Sequence, residues 1–369
     1  MAAWRLHVRS MHKTGWMAAI CVAAAGMAQA EVPPEIAKQL VNIGRGVCVP
    51  ETAQIYRPLQ PNPPYKGVTI ARDVSFGPDP MNVLDVFSAE KGGGNRPVLI
   101  YVSGGAGNKI SGGPNGDVFY DNIMLWATKN GMVGVNMQRR PGSAWDDPAK
   151  DISLVVQWVH NNAAKYKGNA RRVFIWSQSA GNVPTATYVG HPELYGPKGI
   201  GLKGVIFMSP PAFDILPATV PPGGGGGGFG ACGQPNGGPP AAAAPGGRGG
   251  GGSGPGAGPG AGRGGDGKST VAGGGRGKQA PPDPATQLAR SNLPGLVKSK
   301  IPYMLAVAEL DPPNILSFSA VLKDELCKAG RCPTYLELKD HSHVSEVFSP
   351  NTADDSVTGP ILKWMTGVK

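Results

Sequence analysis

The sequence predicts an α/β chain: a mostly parallel central sheet of about eight strands flanked by helices. Three observations predict it. Pro97–Val102 is a continuous apolar run that ends in glycines, and Gly204–Met208 is a second apolar run. Such runs mark strands buried on both faces. Helical segments alternate with the strands, which implies βαβ units. One strand-to-helix junction carries the string Trp176-Ser177-Gln178-Ser179-Ala180-Gly181.

Taken in order, residues 1–30 read as a secretory signal peptide. Arg5, Arg9 and Lys13 precede the apolar stretch Trp16–Met27, and Ala28-Gln29-Ala30 is a small-x-small cleavage site. The apolar stretch falls short of the roughly 20 residues that span a bilayer. The mature protein is therefore expected to be periplasmic or secreted, with no integral membrane segment. Residues 31–66 form an N-terminal extension with one helical stretch, Pro34–Asn42. The main domain is 67–369. Val68–Phe76 and Asn82–Phe87 alternate in polarity and read as an antiparallel pair at a sheet edge. The following strands are Pro97–Val102, Met132–Asn136, Arg172–Trp176, Gly204–Met208, Ile301–Ala308 and Thr334–Leu338. Helices are expected at Asp117–Asn130, with Asp117 as N-cap, at Asp147–Ala164, from the Ser179 turn to Val189, at Ile315–Ala329 and at Asp354–Thr366.

Residues 221–283 interrupt this domain with a Gly/Pro-rich insertion. About half of the 57 glycines fall there. Such a segment cannot bury enough apolar surface to offset the entropy of ordering it, so it is expected to be flexible and disordered. It reads either as a lid or wall-binding tether or as a tolerated surface insertion. The formal charge of +10 comes mostly from the leader and this insertion, where Arg248, Arg263, Lys268, Arg276 and Lys278 are offset only by Asp266. The remaining charge argues for no nucleic-acid partner. Cys48, Cys232, Cys327 and Cys332 follow the leader. They lack zinc-site spacing, so no metal is expected. Export permits disulfides, and the short turn between Cys327 and Cys332 favours that pair.

The strand–turn–helix setting of Ser179 has the form of a nucleophile elbow, a sharp turn that lifts a serine hydroxyl above the sheet. Residues two before and two after must be small. Gly181 satisfies this, and Ser177 stands where glycine is usual. The helix N-terminus places backbone N–H groups beside the serine. Upstream, Tyr101-Val102-Ser103-Gly104-Gly105-Ala106-Gly107 follows a buried strand. Asp311 lies where the Ile301–Ala308 strand ends, before Pro312 and Pro313, with Glu309 and Asp214 as alternative acids. The order Ser, Asp, His requires a histidine after Asp311. His7, His12, His160 and His191 precede it, which leaves His341 and His343.

These motifs resemble the carboxylesterase branch of the α/β-hydrolases, most of all its feruloyl-esterase-like, acetyl-esterase-like and kynurenine-formamidase-like members. The glycine string is similar to their HGGG motif, with Ser103 in place of the histidine and Ala106 in place of the third glycine. The AELDPPN string around Asp311 resembles their acid loop. Asp340-His341-Ser342-His343-Val344-Ser345 resembles their H-x-H string, in which the second histidine is catalytic. The resemblance implies an α/β-hydrolase fold, a triad of Ser179, Asp311 and His343, and an oxyanion hole from the N–H groups of Gly105, Ala106 and Ala180. His341 is left a supporting or substrate-side role. It further implies ester hydrolysis through an acyl-enzyme without a cofactor. The substrate would be a small ester or an acylated polysaccharide, with Trp145 the tryptophan best placed in the chain to line a sugar pocket. An amidase or peptidase on the same fold and an inactive cell-surface binding protein are the competing readings.

Overall fold

The structure, a computed structural model, describes residues 31–111, 117–140, 144–211, 232–233 and 283–368. The expected signal peptide, the alternative acid Asp214 and nearly all of the 221–283 insertion lie outside the described residues. The strands are β1 (Val68–Ser75), β2 (Val83–Ala89), β3 (Arg96–Val102), β4 (Val133–Met137), β5 (Gly168–Gln178), β6 (Gly204–Met208), β7 (Tyr303–Leu310) and β8 (Thr334–Ser342). The helices are α1 (Pro34–Ile43), α2 (Val49–Tyr56), α3 (Asp121–Lys129), α4 (Asp147–Asn162), α5 (Asn182–Gly190), α6 (Pro284–Arg290), α7 (Leu293–Lys298), α8 (Pro313–Lys328), α9 (Ser345–Phe348) and α10 (Thr358–Gly367).

The strands form one sheet in the order β1-β2-β4-β3-β5-β6-β7-β8. β2 runs antiparallel to both β1 and β4, and every other pair is parallel. The edge strand β1 has no buried residue, whereas β4 and β6 are buried throughout. This is what two-sided coverage demands of central parallel strands. Side chains of β3 separate by the two-residue period of a strand. Val98, Ile100 and Val102 enter one core with Val155, Val159 and Leu322 from α4 and α8. Leu99 and Tyr101 enter the other with Leu40, Ile123 and Ile361 from α1, α3 and α10.

The order matters for function. From β3 the chain moves one way to β4, then returns to place β5 on β3's other side. A crevice opens where the winding direction reverses, beyond the carboxyl ends of the strands. The glycine string follows β3 and Ser179 follows β5, so both flank this point.

The structure corrects one sequence expectation and refines another. Helix α3 begins at Asp121, with Tyr120 rather than Asp117 preceding it. Asp117 instead forms an ion pair with Arg57, 2.8 Å away. The opposite charge outcompetes a capping role at a turn. Helix α10 starts at Thr358, later than the Asp354 expected. Cys327 bonds to Cys332, and Cys48 to Cys232. The second bond, with the Gly233 N–H donating to the Ile43 carbonyl (3.0 Å), ties the insertion to the N-terminal extension. Among the described residues, no helix is long and apolar enough to cross a membrane.

Candidate active site

Ser179 sits at φ +49° immediately after β5. Few non-glycine residues adopt this left-handed backbone, and it persists only where surroundings enforce it. Here they do. A Cβ on Gly181 would lie 2.3 Å from the Val102 carbonyl oxygen, so β3 and the elbow pack backbone to backbone. Asn182 donates from Nδ2 to the carbonyls of Ser179 (2.9 Å) and Met208 (2.7 Å), which ties the turn to the end of β6. Ser177, in the usual glycine position, is fully buried, with Oγ 2.8 Å from Asn182 Oδ1. A hydroxyl at that place is tolerated because Asn182 accepts its proton.

Three side chains from three strand ends converge. Ser179 Oγ lies 2.8 Å from His343 Nε2. His343 Nδ1 lies 2.7 Å from Asp311 Oδ1. All three residues are buried, Ser179 the least so at 8% exposed. Asp311 Oδ2 accepts from the Ala308 N–H (2.8 Å), and Arg45 Nη1 donates to the Asp311 main-chain carbonyl (3.0 Å). The N-terminal extension thus clamps the acid turn.

Of the three alternatives, the two among the described residues, Glu309 and His341, are engaged elsewhere. Glu309 turns away and accepts from the Asp340 N–H (2.8 Å). His341 is buried, with Nδ1 2.9 Å from Ser345 Oγ and Nε2 2.7 Å from Ser356 Oγ. Burial lowers its pKa to about 4, against the opposing pull of Asp354 and Asp340. It is neutral at pH 7 and braces the turn that carries His343. His160 and His191 face the Gly201 carbonyl and Glu193.

The glycine string forms a loop over the serine. A Cβ on Gly104 would fall 2.9 Å from Ser179 Cβ and 2.5 Å from Gln178 Oε1, so only glycine fits beside the elbow. Gly105 (φ +52°) and Ala106 are exposed at its crest. Among the described residues no acceptor takes the N–H of either. Ser103, which stands where the related motif has histidine, donates to the Asn108 carbonyl (2.8 Å) and closes the loop from within. Arg139 Nη2 donates to the Gly105 carbonyl (2.6 Å). That carbonyl belongs to the same peptide unit as the Ala106 N–H, so the guanidinium fixes the direction of this donor. The far end is held by Lys109, whose Nζ lies 2.5 Å from both Asp73 and Asp85. The Ala180 N–H opens the helical turn after Ser179, where no intrahelical acceptor exists.

Trp145 is 40% exposed and packs against His191 and Arg290, at the far end of α5 rather than at the elbow. Sequence reasoning passed over Gln178, Ser209 and Glu346. Gln178 Nε2 donates to the His343 carbonyl (2.9 Å) and lies 3.2 Å from Glu346 Oε1. Ser209 Oγ lies 2.6 Å from Asp311 Oδ2 and 2.7 Å from Glu346 Oε2. A serine at the end of β6 and a glutamate three residues past His343 were visible signals, but only proximity in the fold gives them meaning.

Comparisons with known proteins agree with this architecture. The BD-FAE family model matches residues 84–187, from β2 through the elbow helix. Esterase B from Lactobacillus rhamnosis superposes with a TM-score of 0.57 at 14% identity, covering 87% of this chain and 91% of that one. A bacterial heroin esterase gives 0.57 at 15% identity, covering 92% and 98%. The chain has the α/β-hydrolase fold. Its sequence likenesses lie in the carboxylesterase branch. A probable isoprenylcysteine alpha-carbonyl methylesterase of Arabidopsis thaliana is 29% identical over 115 residues, 30% of this chain and 23% of the relative. Venom carboxylesterase-6 of Apis mellifera is 28% identical over 120 residues, 30% and 21% respectively. The match thus spans under a quarter of these two relatives' length.

Proposed function

We propose that this protein is an exported serine esterase. The observation that carries the reading is the unbroken line from Ser179 Oγ through His343 to Asp311, at 2.8 and 2.7 Å. His343 takes the Ser179 proton as Oγ bonds to the ester carbonyl carbon. Asp311 orients the ring and stabilises its charged form. The carbonyl oxygen becomes an oxyanion and accepts the N–H groups of Gly105, Ala106 and Ala180, each worth about 3–4 kcal/mol in related sites. The tetrahedral intermediate then expels the alcohol, which leaves with the proton from His343. Water, deprotonated by the same ring, attacks the acyl-enzyme and releases the acid and Ser179.

The substrate is read as a small carboxylic ester, or an acyl group on a polysaccharide outside the cytoplasm. Export rests on the leader sequence, and the acyl class on the resemblance to feruloyl- and acetyl-esterase-like proteins. The test is hydrolysis of p-nitrophenyl acetate by the chain from Glu31 and by its Ser179→Ala variant. The variant should lose about 10³-fold or more in kcat. Equal rates in both would remove the triad. Faster turnover of matched anilides than esters would move the reading to an amidase.

A further inference from the structure

Behind the triad, two carboxyl groups meet one hydroxyl. Ser209 Oγ lies 2.6 Å from Asp311 Oδ2 and 2.7 Å from Glu346 Oε2. A serine hydroxyl has a single proton and can donate to only one of them. The other short oxygen–oxygen contact needs a proton of its own. Asp311 is fully supplied with donors: His343 Nδ1 on Oδ1, and the Ala308 N–H beside Ser209 on Oδ2. Glu346 Oε1 accepts from Gln178 Nε2 (3.2 Å), while Oε2 touches only Ser209. No lysine, arginine or histidine pairs with Glu346 among the described residues.

From this hydrogen-bond count we infer that Glu346 is a neutral carboxylic acid and the positioning residue for Asp311. Its Oε2–H donates to Ser209 Oγ, Ser209 Oγ–H donates to Asp311 Oδ2, and Oδ1 is left to face His343. The relay moves no proton during turnover. It fixes which oxygen of Asp311 serves the ring and keeps Asp311 the single negative charge in that pocket. This inference rests on the serine-hydrolase reading for its catalytic consequence.

Two further observations agree. Glu346 is completely buried, and that burial, with the charge of Asp311 beside it, pushes its carboxyl well above the usual carboxylate range. Ser209 holds a left-handed backbone, φ +46°, as Ser179 does. Strain of this kind persists where surroundings enforce it and gathers at working sites. The polar and titratable groups that act on Glu346 are Tyr101 from β3, Gln178 from β5, Ser209 after β6 and Asp311 after β7. Asp311 is the one carboxylate among them, and none is a cation.

The test combines infrared difference spectroscopy with kinetics on the full mature chain. Near neutral pH the Glu346→Gln variant should lack one carbonyl stretch of a protonated carboxylic acid that the native protein shows. This arm needs no turnover, so it separates failure of the inference from failure of the hydrolase reading. In kinetics, Ser209→Gly, which removes a hydrogen bond to the charged Asp311, and Glu346→Leu, which removes the donor that holds the Ser209 hydroxyl on Asp311, should each lower kcat about tenfold with KM unchanged. Glycine keeps the positive φ without strain. Glutamine, which can still donate to Ser209 and accept from Gln178, should restore the kcat that leucine loses. Loss of an ionised-carboxylate band in Glu346→Gln would overturn the neutral acid. So would an acid limb of its pH profile moved to lower pH, because that marks removal of a negative charge beside the triad. Full kcat in both Ser209→Gly and Glu346→Leu would overturn the positioning role.

Discussion

Ser179 and His341 show how single side chains are held at the cost of their ordinary preferences. Left-handed φ at Ser179 costs on the order of 1–3 kcal/mol. The turn is retained because Gly181 lets β3 approach and Asn182 ties down the Ser179 and Met208 carbonyls. His341 is kept neutral by burial, with its pKa lowered to about 4 from the ordinary 6.5. Between those values the unfolded chain binds a proton that the folded chain does not. Stability from this residue is therefore full above about pH 6.5 and lost as pH falls toward 4, on the order of 3 kcal/mol. Urea unfolding at pH 7 and pH 4.5 checks this. The native protein should lose more stability across that interval than the His341→Gln variant. Parallel losses would show that His341 does not carry the effect.

The loops and short helices around the sheet matter as much as the strands. The N-terminal extension reaches the acid turn through Arg45, and its Cys48 anchors Cys232 of the insertion across a sequence separation of 184. A bond closing so long a loop restricts the unfolded chain strongly, and a typical bond of this kind stabilises by about 2–4 kcal/mol. Replacing Cys48 and Cys232 by serine should lower the unfolding free energy by that amount in denaturant titrations under oxidising conditions. No change in midpoint would mean that the pair contributes nothing to the oxidised protein. Elements differed in how legible they were. β6 was read to the residue, because a short all-apolar strand between breakers has sharp limits. β5 and β8 run several residues longer than their apolar cores, since ladder pairing with β3 and β7 carries polar residues into the strand. Helices α2, α6, α7 and α9 are too short to display a period. α2, α7 and α9 form where neighbours bury them, which is tertiary information, whereas α6 is held by its Asp283 cap.

For the molecule as a whole, the sheet was legible from alternation of strand and helix; chain order and loop placement singled out Ser179 and Asp311 and left His341 and His343, and only the resemblance to the H-x-H string chose His343. The layer behind them was not legible. Glu346, Ser209 and Gln178 come from α9, the end of β6 and the end of β5, and no local pattern links them. They meet only when parallel strands bring their carboxyl ends together at the reversal between β3 and β5. The same reversal sets the glycine loop over the elbow. On the proposed function, this convergence makes Ser179 a nucleophile activated by His343. Treatment with a fluorophosphonate, followed by peptide mapping, tests it most directly. A single covalent adduct on Ser179 is expected in the native protein, absent from Ser179→Ala and formed at least about 10²-fold more slowly in His343→Ala. No adduct on Ser179 of the folded native protein, or equal labelling rates with and without His343, would contradict it.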